Sequence, residues 1–233
     1  MTNMVALKAL NGKRWVHAET TRDFSSVARR LVAPYAKARY LAVSAKTGVP
    51  WFVIAVIHQR ECSQDWAGSL AQGDPWDRVS VHVPAGRGPF KSWEGAAVDA
   101  LVHCAPYAAR NQDWSPGGAL TQLEEYNGLG YAARGLPSPY TWSGTNQYVG
   151  GKYVRDGVFD PNVVDRQLGC AGLIMAMMKL DPAITFTGLT IVPPKTTPIP
   201  TEKPAASRSI TSPAKGSIGA FIASIFNAIF ERK

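Results

Sequence analysis

The chain predicts an α+β fold that is mainly α-helical, and three observations carry that prediction. Apolar residues recur at helical spacing in several separate stretches between Thr21 and Lys179. One short alternating run, Val79, Val81 and Val83, is framed by the turn formers Asp74-Pro75 and Gly86 to Pro89 and reads as a strand. The 233 residues are 45% hydrophobic, enough to bury a core in one large domain or a domain with an appendage.

From Thr21 to Thr47, Phe24, Val27, Leu31, Tyr35, Ala38, Leu41 and Ala42 form an apolar stripe, with Arg29, Arg30, Lys37 and Arg39 between them. The pattern is an amphipathic helix, bent or divided near Pro34 and ended by Gly48. Pro50 suits the first turn of the next helix, which is apolar on every side from Trp51 to Ile57. A helix with no polar face belongs at the centre of a core. It ends abruptly in His58-Gln59-Arg60-Glu61-Cys62-Ser63. The small β element follows, with Asp74 to Arg78 as the turn that leads into it. Ser92 is a good N-cap for a helix through Ala97, Ala100, Leu101 and Cys104 to about Tyr107. Another short helix covers Ala119 to Tyr126 and stops at Asn127-Gly128. Tyr126 to Tyr153 is rich in aromatics and glycines and has little regular pattern, the mark of a functional loop. The last core helix spans Pro161 to Lys179.

Composition then changes. Six of the 17 prolines fall between Pro193 and Pro213, so residues 190–216 read as an extended linker behind a folded domain of residues 1–189. Residues 217–233 place Ile218, Phe221, Ile222, Ile225, Phe226, Ile229 and Phe230 on one helical face. That helix is too short to span a bilayer. Its pattern suits contact with a membrane surface, and equally suits docking on the domain or self-association.

A net charge of +8 favours an anionic partner, such as nucleic acid, a membrane surface or an acidic wall polymer. Half of that excess lies in residues 190–233, and no nucleic-acid-binding motif is visible, so nucleic acid is not expected as a partner. Cys62, Cys104 and Cys170 are far apart and lack metal-ligand spacing, and they read as reduced, half-buried small side chains. Neither a metal nor a cofactor is expected. Met1 to Trp15 lacks the apolar core of a signal peptide, which points to synthesis in the cytoplasm without one.

Glu61 is the strongest candidate for chemistry. A carboxyl at the end of an apolar helix is partly desolvated, which raises its pKa and lets it remain an acid near neutral pH. The alternative is a solvated glutamate at a helix end. Cleavage of a glycosidic bond needs such an acid and often a second carboxylate. Asp74 and Asp77 are the natural partners, although both also fit as turn residues, Asp77 beside Arg78. Asp65 ranks below them.

Several motifs add a resemblance. Ile57-His58-Gln59-Arg60-Glu61-Cys62-Ser63, Leu70 to Arg78, Val83 to Pro89, Glu125-Tyr126-Asn127-Gly128 and Ser138 to Thr145 resemble the lysozyme-family proteins of bacteriophages and prophages, which are endolysin-like muramidases. More distantly, a glutamate closing an apolar helix and a later Tyr-Asn-Gly loop are similar to goose-type lysozymes and lytic transglycosylases. In those families the residue matching Glu61 is the acid, and in the transglycosylase pattern a serine follows it directly. Here Cys62 intervenes before Ser63.

The resemblance implies a lysozyme-like fold and a peptidoglycan substrate, cut between N-acetylmuramic acid and N-acetylglucosamine in the periplasm after release of the protein. It also places the Tyr126 loop beside the cleft. Tyr126 would bond Glu61 or the sugar, and Asn127 and Gly128 would contact an N-acetyl group. The aromatics of the same loop, Tyr131, Tyr140 and Trp142, join the substrate-binding set, Tyr140 and Trp142 as stacking platforms or as anchors of the loop. His58 would shape the surroundings of Glu61 or serve as a structural histidine. A lytic transglycosylase and a non-catalytic wall-binding module remain the alternatives.

Overall fold

The computed structural model describes residues 2–187, and the linker and C-terminal helix expected over 190–233 lie outside the described residues. The described chain is mainly helical with one small antiparallel sheet. Its helices are α1 (Met4–Val16), α2 (Ser25–Leu31), α3 (Pro34–Thr47), α4 (Trp51–Cys62), α5 (Trp93–His103), α6 (Pro116–Tyr126), α7 (Gly130–Ala133), α8 (Pro139–Trp142) and α9 (Cys170–Leu180). Strands β1 (Lys152–Arg155) and β2 (Val158–Asp160) form the sheet.

α4 is the axis of the molecule. Every residue from Phe52 to Ile57 is buried, and α2, α3, α6 and α9 pack around it. The break before it is sharp: α3 ends on Gly48 in the left-handed conformation at φ 74°, Pro50 caps α4, and the two helix axes meet at a bend of 113°. No single helix among the described residues is long and apolar enough to cross a membrane.

α1 was not foreseen. Asn3 caps it by accepting from the Ala6 N–H at 3.1 Å, and buried Leu7 and Asn11 face α6, where the Asn11 amide donates to Thr121 at 3.1 Å. The two helices come together at Gly117, where a Cβ would lie 2.4 Å from the Lys8 carbonyl oxygen.

The β element is not where the alternation placed it. Val79 to Val83 forms no strand, and Val79 and Val81 are exposed. The backbone donors of Val81 and His82 are taken by the Asp74 carboxylate, both at 2.9 Å, so no partner strand satisfies them. The sheet lies instead at the end of the presumed long loop, a hairpin through Asp156-Gly157 that pairs Tyr153 with Phe159. The segment expected to be helical from Pro161 is also irregular up to Gly169. There the Asp165 carboxylate binds Arg60, Lys152 and the Gln167 N–H two residues on, an arrangement a helix would break.

Gly169 locks the start of α9 against the end of α8. A Cβ at this position would meet the Ser143 nitrogen at 2.6 Å, the Thr141 oxygen at 2.7 Å and the Ser143 oxygen at 2.8 Å, all backbone atoms that cannot rotate away. Gly169→Ala is expected to cost about 3 kcal/mol through overpacking alone, seen as a melting-temperature drop of roughly 10 °C. An unchanged melting temperature would show that the two helices can separate at this point without loss.

Candidate active site

The site is built at the C-terminal end of α4. Two consecutive non-glycine residues, Ser63 at φ 56° and Gln64 at φ 63°, adopt the left-handed conformation directly after it. Their N–H groups close the helix on the Gln59 and His58 carbonyls. Gln64 is held further by its side-chain amide, which donates to the Arg30 carbonyl and the Tyr40 hydroxyl at 3.1 and 3.2 Å. Strained backbone held by several contacts is characteristic of functional sites. The chain then folds back, and Gly73 packs so closely on α4 that a Cβ would sit 3.2 Å from the Glu61 carbonyl oxygen.

Glu61 keeps part of its surface open to solvent, yet the atoms packed around its carboxyl withdraw it from bulk water. That desolvation raises its pKa to about 7; the Tyr140 hydroxyl and the nearby Arg60 charge both oppose the shift without cancelling it. The Tyr140 phenol donates to Glu61 Oε1 at 2.8 Å and fixes the orientation of the carboxyl. The Arg60 guanidinium lies over the Tyr140 ring, 4.7 Å from its centre.

The residues expected around Glu61 divide into three groups. Tyr126 is buried close enough for the Glu61 charge to act on it, but its hydroxyl donates to the Leu70 carbonyl at 2.9 Å rather than to Glu61. The bond expected of Tyr126 is made by Tyr140. Tyr140 is only 2% exposed and Trp142 is fully buried, so neither ring offers a face to a sugar; the Trp142 indole donates to Glu124 at 3.2 Å.

His58 is a structural histidine. It is fully buried among Tyr40, Trp66 and Trp93. Its Nε2 lies 2.9 Å from the Asp65 carbonyl, which only accepts, so Nε2 carries the proton and Nδ1 accepts from the Tyr40 hydroxyl at 2.9 Å. Desolvation pushes its pKa down to about 4, against the pull of the Asp65 carbonyl, and the ring stays neutral. It ties the end of α4 to the turn that follows.

Asp74 and Asp77 are not poised as a second catalytic carboxylate. Asp74 is buried and accepts from two backbone N–H groups and from the His82 ring at 2.6 Å. Burial by itself would raise its pKa, but the hydrogen bonds from His82 and Val81 outweigh it and hold it below the usual carboxylate range. Asp74 is thus the anchor of its loop. Asp77 points to solvent with its side chain 62% exposed, 3.8 Å from Arg78.

Asn127, Gly128 and Tyr131 line a separate cavity of about 480 Å³, together with Leu129, Arg134 and Tyr153. Tyr131 packs edge-on against Tyr153, and the Arg134 guanidinium lies 4.4 Å from the Phe159 ring centre. Glu61 is not among the residues lining this cavity.

Two buried carboxyls escaped the sequence reading. Glu124 on α6 is buried, and desolvation raises its pKa to about 7 against the pull of Arg14 and the Trp142 indole. Among the described residues its Oε2 makes no close hydrogen bond, although the Asn11 amide and the Ser138 N–H also pull its pKa down. Asp165 is the second, clamped between Arg60 at 3.1 Å and Lys152 at 2.9 Å. All three cysteines are unpaired, Cys62 half-buried beside Glu61 and the other two buried. Among the described residues, no group of three His, Cys, Asp or Glu side chains is placed to hold a metal ion.

No family model, curated protein or solved structure matches the chain. Its class is that of a mainly helical α+β protein with a desolvated carboxyl at the end of its central helix.

Proposed function

We propose that the chain is a glycosidase of the bacterial cell wall, with a lysozyme-like fold and Glu61 as the general acid. It cleaves the β-1,4 bond between N-acetylmuramic acid and N-acetylglucosamine in the periplasm. One observation carries the reading: a partly open carboxyl that stays protonated to about pH 7, one oxygen pinned by Tyr140. With Oε1 accepting from the phenol, the transferable proton sits on Oε2. That oxygen delivers it to the glycosidic oxygen as the bond breaks. The lysozyme-like motifs around Glu61 and Asn127 supply the substrate class, and the net charge of +8 suits an anionic wall polymer.

The product depends on what attacks the resulting oxocarbenium-like centre. A hydrolase of this kind uses a second carboxylate to activate water or to form a covalent intermediate. Here the Asp74 carboxylate is occupied by His82 and Val81, and Asp77 is paired with Arg78 at the surface. This favours a second reading, in which Glu61, having given up its proton, takes one from the muramyl 6-hydroxyl. That oxygen then attacks the anomeric carbon and leaves an anhydro end, as in a lytic transglycosylase.

Mass spectrometry of fragments released from purified sacculi tests both readings. An anhydromuramyl end is the expected product, and a reducing muramic acid end would mark a hydrolase. A reducing glucosamine end, or no fragments at all, would overturn the proposed activity.

A further inference from the structure

Around Glu61 stand Arg60 and Cys62 from α4, Tyr126 from α6, Tyr140 from α8 and Cys170 from α9. Burial raises the pKa of both thiols and both phenols, which leaves them neutral near pH 7. Arg60 is the one cation in this set. It is next to Glu61 in the chain, its side chain is only 6% exposed, and a full positive charge so placed pulls the neighbouring carboxyl towards ionisation. An acid that must keep its proton at neutral pH is poorly served by such a neighbour unless the charge is neutralised.

Asp165 offsets that charge in part, sharing its carboxylate between Arg60 and Lys152. Its carboxylate receives Arg60 Nη2 at 3.1 Å and Lys152 Nζ at 2.9 Å, and the Leu168 carbonyl accepts from Arg60 Nη1 at 3.3 Å. The backbone of Asp165 is itself fixed: its N–H donates to the Tyr148 hydroxyl at 3.0 Å, and its carbonyl accepts from Ser143 at 2.8 Å. Burial alone would raise the pKa of Asp165, but the Arg60 and Lys152 charges outweigh it and keep it ionised. Thus one fixed negative charge holds the guanidinium beside the Tyr140 ring, and that phenol in turn orients Glu61.

We propose that Asp165 is a positioning residue for Glu61: it anchors Arg60 beside the Tyr140 ring and offsets its charge, and so keeps the acid both oriented and able to hold its proton. The proposal rests on the reading of Glu61 as the general acid. It extends the site from the end of α4 to the segment before α9, more than a hundred residues further along the chain.

The test follows Glu61 directly, by carbon-13 NMR titration of its side-chain carboxyl, and in parallel records the pH profile of wall cleavage. In Asp165→Asn the Arg60 charge acts on Glu61 without its counter-ion. The Glu61 midpoint should fall by on the order of one pH unit, and the alkaline limb of the profile should move with it. In the double variant Arg60→Met/Asp165→Asn both charges are gone, and the midpoint should return to the wild-type value or rise above it. The double variant carries the test if Asp165→Asn alone does not fold, because it leaves no buried unpaired arginine. A Glu61 midpoint that is unmoved in Asp165→Asn, or lower than wild type in the double variant, would overturn the proposal. So would an activity loss equal at every pH, which is what a purely structural role gives. The titration needs no turnover, so failure of the wild type to cleave wall would count against the enzyme reading alone.

Discussion

Glu61→Gln is expected to reduce wall cleavage by about a thousandfold while leaving the fold intact. Glutamine has nearly the shape of the protonated carboxylic acid, and its carbonyl oxygen still accepts from Tyr140, but it has no proton to give the leaving oxygen. The packing around α4 is undisturbed, because the substitution changes neither volume nor any buried apolar contact. Circular dichroism and melting temperature should therefore match the wild type at pH 6, where the native carboxyl is mostly protonated. The wild-type pH profile makes a matching demand. An acid with a pKa of about 7 loses its proton as the pH rises through that value, so cleavage should decline on the alkaline side of neutrality. Clearing activity that survives the substitution in a folded protein would remove Glu61 from the mechanism. The surviving alternative would then be a wall-binding module of the same fold.

How much of this was legible beforehand depended on whether a local pattern had a local cause. α4 was readable because a helix apolar on every side has one stable place, and the position of Glu61 at its end followed from counting. The break between α2 and α3 was equally local, since Pro34 cannot continue the preceding helix. Val79, Val81 and Val83 misled for the opposite reason. Alternation says that side chains alternate; it does not supply the partner strand, and the Asp74 carboxylate took the backbone donors instead. The hairpin that does form has a local signal, Asp156-Gly157 between Tyr153 and Phe159.

The aromatic residues show a different limit. Tyr140 and Trp142 were recognised as belonging to the site region, but side-chain type alone does not separate a ring that faces a cleft from one that faces the core. Tyr140 turned out to be the hydrogen-bond donor to Glu61, a contact across 79 positions of sequence. Nothing local distinguishes Glu124 from Glu125 either. Only the docking of α1 and α8 on α6 buries one and leaves the other partly exposed.

That burial of Glu124 leads to the second large effect, a loss of stability with rising pH. In the folded protein the carboxyl holds its proton to about pH 7, whereas an ordinary glutamate in the unfolded chain releases it near pH 4.5. A folded-state pKa above the unfolded one means that the native state binds the proton more tightly. The stability linked to Glu124 is therefore fully present below about pH 4.5 and is lost as the pH rises through 7. The shift corresponds to about 3 kcal/mol once the group is ionised in the folded state. The attraction of Arg14 is already contained in that figure, because it opposes the burial that dominates. Glu124→Gln imitates the protonated acid at every pH and keeps an acceptor for the Trp142 indole. Its stability should exceed that of the wild type by less than about 1 kcal/mol at pH 5, where the unfolded glutamate is already partly ionised, and by about 3 kcal/mol above pH 8. Glu61 contributes to the wild-type slope with the same sign, so Glu124→Gln flattens the dependence only in part, and the Glu61→Gln/Glu124→Gln double variant should flatten it further. Urea unfolding at pH 5 and pH 8.5 reads the difference directly. A difference of the same size at both pH values, whatever its sign, would mean that Glu124 is ionised in the folded protein throughout.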